Sequence, residues 1–206
     1  MLLIKPSVEI LTVNSGALQL IEIAGRTCYK SEAKITHTSA SIFAALILKR
    51  GHESVIEHAS ATVRFVVDRG VSHEIVRHRL ASYSQESTRY CDYNKGEVTF
   101  VIPPWVNPRR QDHMSRCWAD AMETAEEHYK YLRSCGWKPE QARSVLPNSL
   151  KTEIVMTANL REWRHFFRLR TSAAAHPQMR EVATPLLAAM KERVPVVFDD
   201  LAVGQS

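Results

Sequence analysis

The sequence predicts an α+β fold: one domain, residues 1–206, of mixed helices packed with an antiparallel sheet. Three observations predict it. Segments with the period of a half-buried strand alternate with amphipathic helical segments, but without a βαβ rhythm. Neither a GxGxxG fingerprint nor a P-loop occurs, which argues against a Rossmann domain. The length of 206 residues, with 45% hydrophobic and 24% charged, suits one sizeable core, and no repeat or low-complexity linker divides the chain.

The elements follow in order. Residues 7–13, SVEILTV, read as a short strand. Gly16 to about Lys30 reads as a helix with Leu20, Ile23 and Ala24 on one face. Residues 39–50, SASIFAALILKR, form a second helix closed by Gly51 as its C-cap; being apolar all round, it is expected to be buried. In GHESVIEH, 51–58, Ser54 and Glu57 have the S-x-x-E spacing of a capping box. Residues 61–68 alternate, with Ala61, Val63, Phe65 and Val67 on one face and Thr62, Arg64 and Asp68 on the other. Asp68-Arg69-Gly70 ends that strand, and a helix over about 71–78 follows.

VTFVIPP, 98–104, is a strand stopped by two prolines. The longest helix spans about 111–134, with Trp118, Met122, Ala125, Tyr129 and Leu132 as its core stripe and Gly136 closing it. PEQARSVLP, 139–147, is a short helix opened by proline, and 151–158 fits a strand or a helix equally. In LREWRHFFRLR, 160–170, Leu160, Trp163, Phe166 and Phe167 are expected to pack while Arg161, Arg164, Arg168 and Arg170 reach outward. A last helix over about 178–192 contains Pro185, which predicts a kink or a break.

The net charge is +5, and arginine outnumbers lysine 18 to 9. Arginine's planar fork grips phosphates and carboxylates bidentately, so the excess points to anionic partners, nucleotide or nucleic acid. The cysteines Cys28, Cys91, Cys117 and Cys135 show neither CxxC nor zinc spacing, so no disulfide framework or metal is expected. With no signal-peptide pattern and no apolar run of the ~20 residues a membrane span needs, a cytoplasmic protein is expected.

Chemistry concentrates in RHRLASYSQESTRY, 77–90. His73-Glu74 opens something close to H-E-x-x-H, but Arg77 stands at the second ligand position and opposes a metal. Ser82, Ser84 and Ser87 lack a G-x-S-x-G elbow and read as hydrogen-bond donors. Cys91 reads as a small hydrophobe. Extended backbone puts Arg77 and Arg79 on one side and His78 on the other. Such a cluster is repulsive until anions arrive. Ser87 and Arg89 offer a hydroxyl and a fork that suit a phosphate monoester. Glu86 reads as a surface charge.

These residues resemble the signature of the flavin-dependent thymidylate synthases: Arg77-His78-Arg79 followed eight positions later by Ser87. GHESVIEH (51–58), ARSVLP (142–147), NLREWRHFFRLR (159–170) and AHPQMRE (175–181) agree in the same order, so the resemblance covers about residues 10 to 200. It implies synthesis of dTMP from dUMP, with 5,10-methylenetetrahydrofolate as carbon donor, NADPH as reductant, FAD as cofactor and no enzyme cysteine nucleophile. It also implies an α+β homotetramer with active sites at subunit interfaces. Carried over by position, it implies FAD contacts from Ser54, Glu57, Arg77, His78, Arg79, Asn159, Arg161 and His165. For dUMP it implies Glu74, Gln85, Ser87, Arg89, Arg143 and Arg170. His52 matches a histidine near flavin and folate, and Arg170 lies at the uracil, so His52, Ser87 and Arg170 form the catalytic set. Two positions depart from the pattern: Glu74 stands where some members carry Gln, and His165 where others carry Asn.

Two other readings remain beside this one. Tyr83 and Tyr90 next to basic residues fit a module for single-stranded nucleic acid, although the basic residues form no continuous stripe. A flavoprotein of this fold without synthase activity is the second, and the presence of Ser87, Arg89 and Arg170 weighs against it.

Overall fold

The fold is seen in a computed structural model of the chain, which describes residues 1–107 and 112–202. Strands β1 (Leu2–Ile4) and β2 (Ser7–Val13) lead into helices α1 (Ala17–Thr27) and α2 (Ser39–Lys49). Strand β3 (Ser60–Asp68), helix α3 (Arg69–Ile75), strand β4 (Ala81–Gln85) and strand β5 (Thr99–Val101) follow. Helices α4 (His113–Ser134) and α5 (Pro139–Ala142), strand β6 (Lys151–Asn159) and helices α6 (Leu160–Arg170) and α7 (Pro177–Arg193) complete the order. The predicted mixture of helix and sheet is therefore present.

These residues gather into two compact units. The first holds Met1–Ser7, Phe65–Arg77 and Ser84–Ile154; the second holds Val8–Arg64, His78–Tyr83 and the chain from Val155 on. Strands β3, β4 and β6 each begin in one unit and end in the other. The four-stranded sheet has the order β2-β3-β6-β4. Within the second unit, Leu160 N donates to Ala59 O and the Thr62 and Thr157 hydroxyls lie 2.9 Å apart. Partners that fall on one strand as they rise on the other make β3 and β6 antiparallel, as expected. The first unit adds a small sheet that was not expected: β1 and β5 pair in parallel, Leu3 opposite Phe100.

The first unit packs Val98, Phe100, Met122, Tyr129, Ala142 and Leu150 together, with Trp118, Ala125 and Leu132 of α4 against them. That is the predicted core stripe. Residue 111, where the sequence reading starts α4, lies outside the described residues; the helix begins at His113, with Asp112 Oδ1 accepting from Ser115 N. In the second unit the predicted face of α6 is fully buried, and Trp163 meets Phe166 and Phe167 at ring-centroid distances of 5.3 and 5.9 Å.

Several expectations are corrected. Helix α3 runs 69–75, because Asp68 caps it by accepting from Val71 N at 2.9 Å. After the early stop Val76 and Arg77 form a turn, with Arg77 N donating to Glu74 O, and His78 and Arg79 lie beyond it. Residues 53–58 form a 3-10 helix with His52 at its cap position, so Ser54 lies inside it and caps nothing. Segment 151–159 is a strand, with Thr152, Ile154, Met156 and Ala158 buried at period two. Helix α7 continues through Pro185 unbroken. The burial of Val182, Ala183, Leu186, Leu187 and Met190 outweighs the one hydrogen bond that proline removes. Helix α2 buries Ala40, Ala44 and Ile47 but leaves Ile42 71% exposed and Leu46 42% exposed. Its apolar circumference is thus not fully covered within the chain.

Candidate active site

Asn159 caps α6, its Oδ1 accepting from Glu162 N at 2.8 Å. Helical spacing then places Arg161, His165 and Arg168 on one face. They line a cavity of about 450 Å³ in the second unit together with Glu53, Glu57, Leu80, Asn159 and Glu162. Glu57, Asn159, Arg161 and His165, all expected at the flavin, meet here. Glu53, Glu162 and Arg168 were missed. The i, i+7 relation of Arg161 to Arg168 was the available signal for the last.

Each cation of this cavity has an acid close by. Arg161 Nη1 donates to Glu57 Oε1 at 2.5 Å, and Arg168 Nη2 donates to Glu53 Oε1 at 2.7 Å. That second bond holds the Glu53 carboxyl below its usual range. Glu53 also accepts from Arg164 Nε at 3.2 Å. Arg164 overturns the expected outward orientation: it is 2% exposed. Position 164 lies four residues after Leu160 and three before Phe167, on the packed face. The buried charge is matched by Asp200, whose two carboxylate oxygens accept at 2.6 Å each, and by the Val197 carbonyl.

His78 is 3% exposed while Arg77 and Arg79 are exposed, so His78 opposes the two arginines as expected. Its Nδ1 lies 3.1 Å from Glu162 Oε1, and its Nε2 lies 3.1 Å from Arg170 Nε. Arginine offers donors alone, so Nε2 must accept and the ring proton sits on Nδ1, donated to Glu162. Burial, and then the Arg170 charge, lowers His78 to about 4, which keeps the imidazole neutral. Burial raises Glu162. Tyr83 OH donates to the His78 carbonyl at 2.6 Å, and burial pushes the phenol up to about 12. His78, Glu162 and His165 offer ligand atoms within 4.8 Å of one another. Both His78 nitrogens are already engaged, Nδ1 by Glu162 and Nε2 by Arg170.

His52 and Ser54 do not join Glu57. They line a different cavity of the same unit, about 360 Å³, with apolar walls from Phe43, Leu46, Ile47 and Val55.

The first unit holds a third cavity, also about 360 Å³, lined by Arg69, His73, Thr88, Arg143, Ser144 and Asn148 with Leu146, Pro147 and Leu150. Among the described residues no carboxylate lines it. Arg143, expected at dUMP, donates through Nη1 to Thr88 Oγ1 at 2.8 Å. Arg69 was missed; its Nη1 is buried with no hydrogen-bond partner among the described residues. The other expected dUMP contacts of this unit stand apart from these walls. Gln85 Nε2 donates to Ser72 Oγ at 3.0 Å and Thr152 Oγ1 at 3.2 Å. Ser87 Oγ accepts from Arg89 N at 3.3 Å, and the exposed Arg89 side chain lies 3.8 Å from Glu140. Glu74 is half-buried on α3. Glu86 is no surface charge: Tyr93 OH and Lys151 Nζ donate to it at 2.8 and 2.9 Å, anchoring the 86–90 turn to β6. Cys91 is half-buried, and the other three cysteines are exposed and free.

The family model described as thymidylate synthase complementing protein matches residues 9–196. A flavin-dependent thymidylate synthase of Geobacter sulfurreducens is 35% identical over 191 residues, 89% of this chain and 82% of that protein. One of Corynebacterium efficiens is 35% identical over 204 residues, 91% of this chain and 81% of that protein. Among solved structures, the UMP/dUMP methylase PolB of Streptomyces cacaoi, bound with 5-Br dUMP, superposes with a TM-score of 0.80 at 25% identity, covering 97% of this chain and 96% of that one.

Proposed function

The chain belongs to the thymidylate synthase complementing protein family, the flavin-dependent thymidylate synthases, and from that premise we propose that it converts dUMP to dTMP. The carbon donor in this reading is 5,10-methylenetetrahydrofolate, the reductant is NADPH and the cofactor is FAD. The observation that carries it is the contrast between two cavities, one on α6 in the second unit and one around Arg143 in the first, in how their arginines are partnered.

The donor set of the second unit fits a flavin nucleotide. Arg161, Arg168, His165 and the Asn159 amide offer charged and neutral donors on one face of α6, and His78 backs them. Bound flavin supplies the hydride and mediates the methylene transfer. Arg161 and Arg168 exchange their carboxylate partners for phosphate oxygens, an exchange that charge-assisted bonds make nearly even. Glu57 and Asn159 accept or donate at the cofactor's polar edges. By the family resemblance Ser54, Arg77 and Arg79 belong to the same set and His52 to flavin and folate, with His52 and Ser54 reaching the cofactor from the apolar cavity they line.

For dUMP, Arg143 with Ser87 and Arg89 grips the phosphate. Arg69 adds a donor already desolvated, so its bond to phosphate costs little further dehydration. Gln85 and Glu74 hold the sugar and base edges. Arg170 places a fixed positive charge at the uracil, where it stabilises the charge that develops as C5 attacks. No cysteine is asked to act as nucleophile. The exposed apolar side chains Ile42 and Leu46 of α2 and Ile23 and Tyr29 near α1 support assembly into the homotetramer. A cytoplasmic location accords with helices none of which, among the described residues, is long and apolar enough to cross a membrane.

The test is a visible spectrum of the protein after incubation with FAD and removal of excess, followed by NADPH oxidation with and without dUMP. Retained flavin and dUMP-dependent oxidation are expected. A folded, colourless protein would overturn the reading and direct attention to oligonucleotides.

A further inference from the structure

Glu162 has no part in the motif reading, yet it makes the contact that decides the state of His78. It is buried at the third position of α6, where the Asn159 cap fixes its backbone. Its Oε1 lies 3.1 Å from His78 Nδ1, and on the opposite edge of the ring Nε2 lies 3.1 Å from Arg170 Nε. An imidazole has two edges and, when neutral, one proton, so the two contacts are not independent. An acceptor held against Nδ1 draws the proton there and leaves a lone pair on Nε2. A proton on Nε2 would face the Arg170 Nε–H and break that contact. The ring itself is fixed by Phe166, 4.9 Å away between centroids, and by the Tyr83 hydroxyl on the His78 carbonyl.

We propose that Glu162 is a positioning residue: it holds His78 as the Nδ1–H tautomer, and through the Nε2 lone pair it holds Arg170 in place for the nucleotide. This rests on the dUMP reading above, in which Arg170 meets the uracil. Glu162 also lines the flavin cavity, but this role is exerted on the nucleotide from a distance. It acts through one ring on one guanidinium.

Two measurements test it. The first is nitrogen NMR of the protein labelled with ¹⁵N-histidine, with His78 assigned by its loss in H78Q. A protonated Nδ1 and an unprotonated Nε2 at neutral pH are expected; the reverse tautomer would overturn the proposal without reference to any substrate. The second is a double-mutant cycle on dUMP binding to the flavin-loaded protein. With flavin occupancy matched by its absorbance, E162L should weaken dUMP binding about tenfold or more, the scale of losing one hydrogen bond to a charged group. E162Q, whose amide oxygen still accepts from Nδ1–H, should recover most of that loss. The double variant E162L/R170A should bind no worse than R170A alone, because nothing is left to position. Additive losses, or E162L binding dUMP like the unaltered chain, would overturn the proposal. If the unaltered chain fails to bind dUMP, the functional reading falls instead, and the NMR result still judges the Glu162–His78 contact. Should E162L fail to fold, the NMR experiment and E162Q decide.

Discussion

Two arginine-bearing cavities, one from each unit, teach different things about the same residue type. In the second unit's cavity on α6 each lining arginine has a carboxylate partner, Arg161 with Glu57 and Arg168 with Glu53. Behind them the buried Arg164 draws in Asp200 as well. In the first unit Arg143 is held by a threonine hydroxyl, and Arg69 Nη1 is buried without a partner among the described residues. A cation already paired must exchange one anion for another, whereas one held by a neutral group gains on meeting its first. Arginine count therefore does not locate an anion site; the placement of acids does. The first cavity suits a phosphate monoester arriving as substrate, and the second a cofactor whose binding rearranges pairs already formed.

Five changes would break or sharpen this contrast. The largest effect is expected from Arg164→Met, which removes the buried partner of Asp200 and the Val197 carbonyl while Glu53 keeps Arg168. Losing these charge-assisted hydrogen bonds should cost about 3 kcal/mol of stability, read in a denaturant titration. A loss below about 1 kcal/mol would mean the second unit's arginines are not structural. Next come Arg69→Gln and Arg143→Gln. Each should weaken dUMP binding by roughly 10- to 100-fold, the range for lost charge-assisted hydrogen bonds, while thermal stability hardly moves. Titration of dUMP against deoxyuridine checks this, since the nucleoside has no phosphate to lose.

Smaller is Glu57→Gln, which removes the partner of a half-exposed Arg161. The thermal midpoint should hardly move, as for surface pairs. The smallest effect concerns acid. The Arg168 and Arg164 contacts lower Glu53 and Asp200 from their ordinary values of 4.5 and 3.8. Their contribution is then complete above those values and is lost as pH falls through the lower folded ones. A pH series of thermal midpoints should steepen on the acid side below about 4.5, and Asp200→Asn should flatten it.

Much of the architecture was legible in the sequence. Strand β2, the alternation of β3 and the core stripe of α4 follow from periodicity alone, because burial on one face imposes it. What escaped has physical causes. The role of Arg164 depends on Asp200, thirty-six residues away, and a helical wheel shows position but not partner. The 151–159 segment was ambiguous because its polar and apolar residues fit both periods until it paired with its neighbours. Helix α2 was expected to be buried because its composition is apolar; the exposed Ile42 shows that composition specifies a need for cover but not who supplies it. At the site, motif spacing brought out Asn159, Arg161 and His165 but not Glu53, Glu162 or Arg69. Those three matter through tertiary contacts that no local pattern encodes. Glu86 likewise gains its function from Tyr93 and Lys151.

The most direct test of the account is isotopic. The flavin-loaded protein is incubated with dUMP, NADPH and methylenetetrahydrofolate carrying ¹³C in the methylene group, and the nucleotides are separated and weighed by mass spectrometry. The account predicts dTMP with the label in its 5-methyl group. Unchanged dUMP from folded, flavin-bearing protein would contradict it.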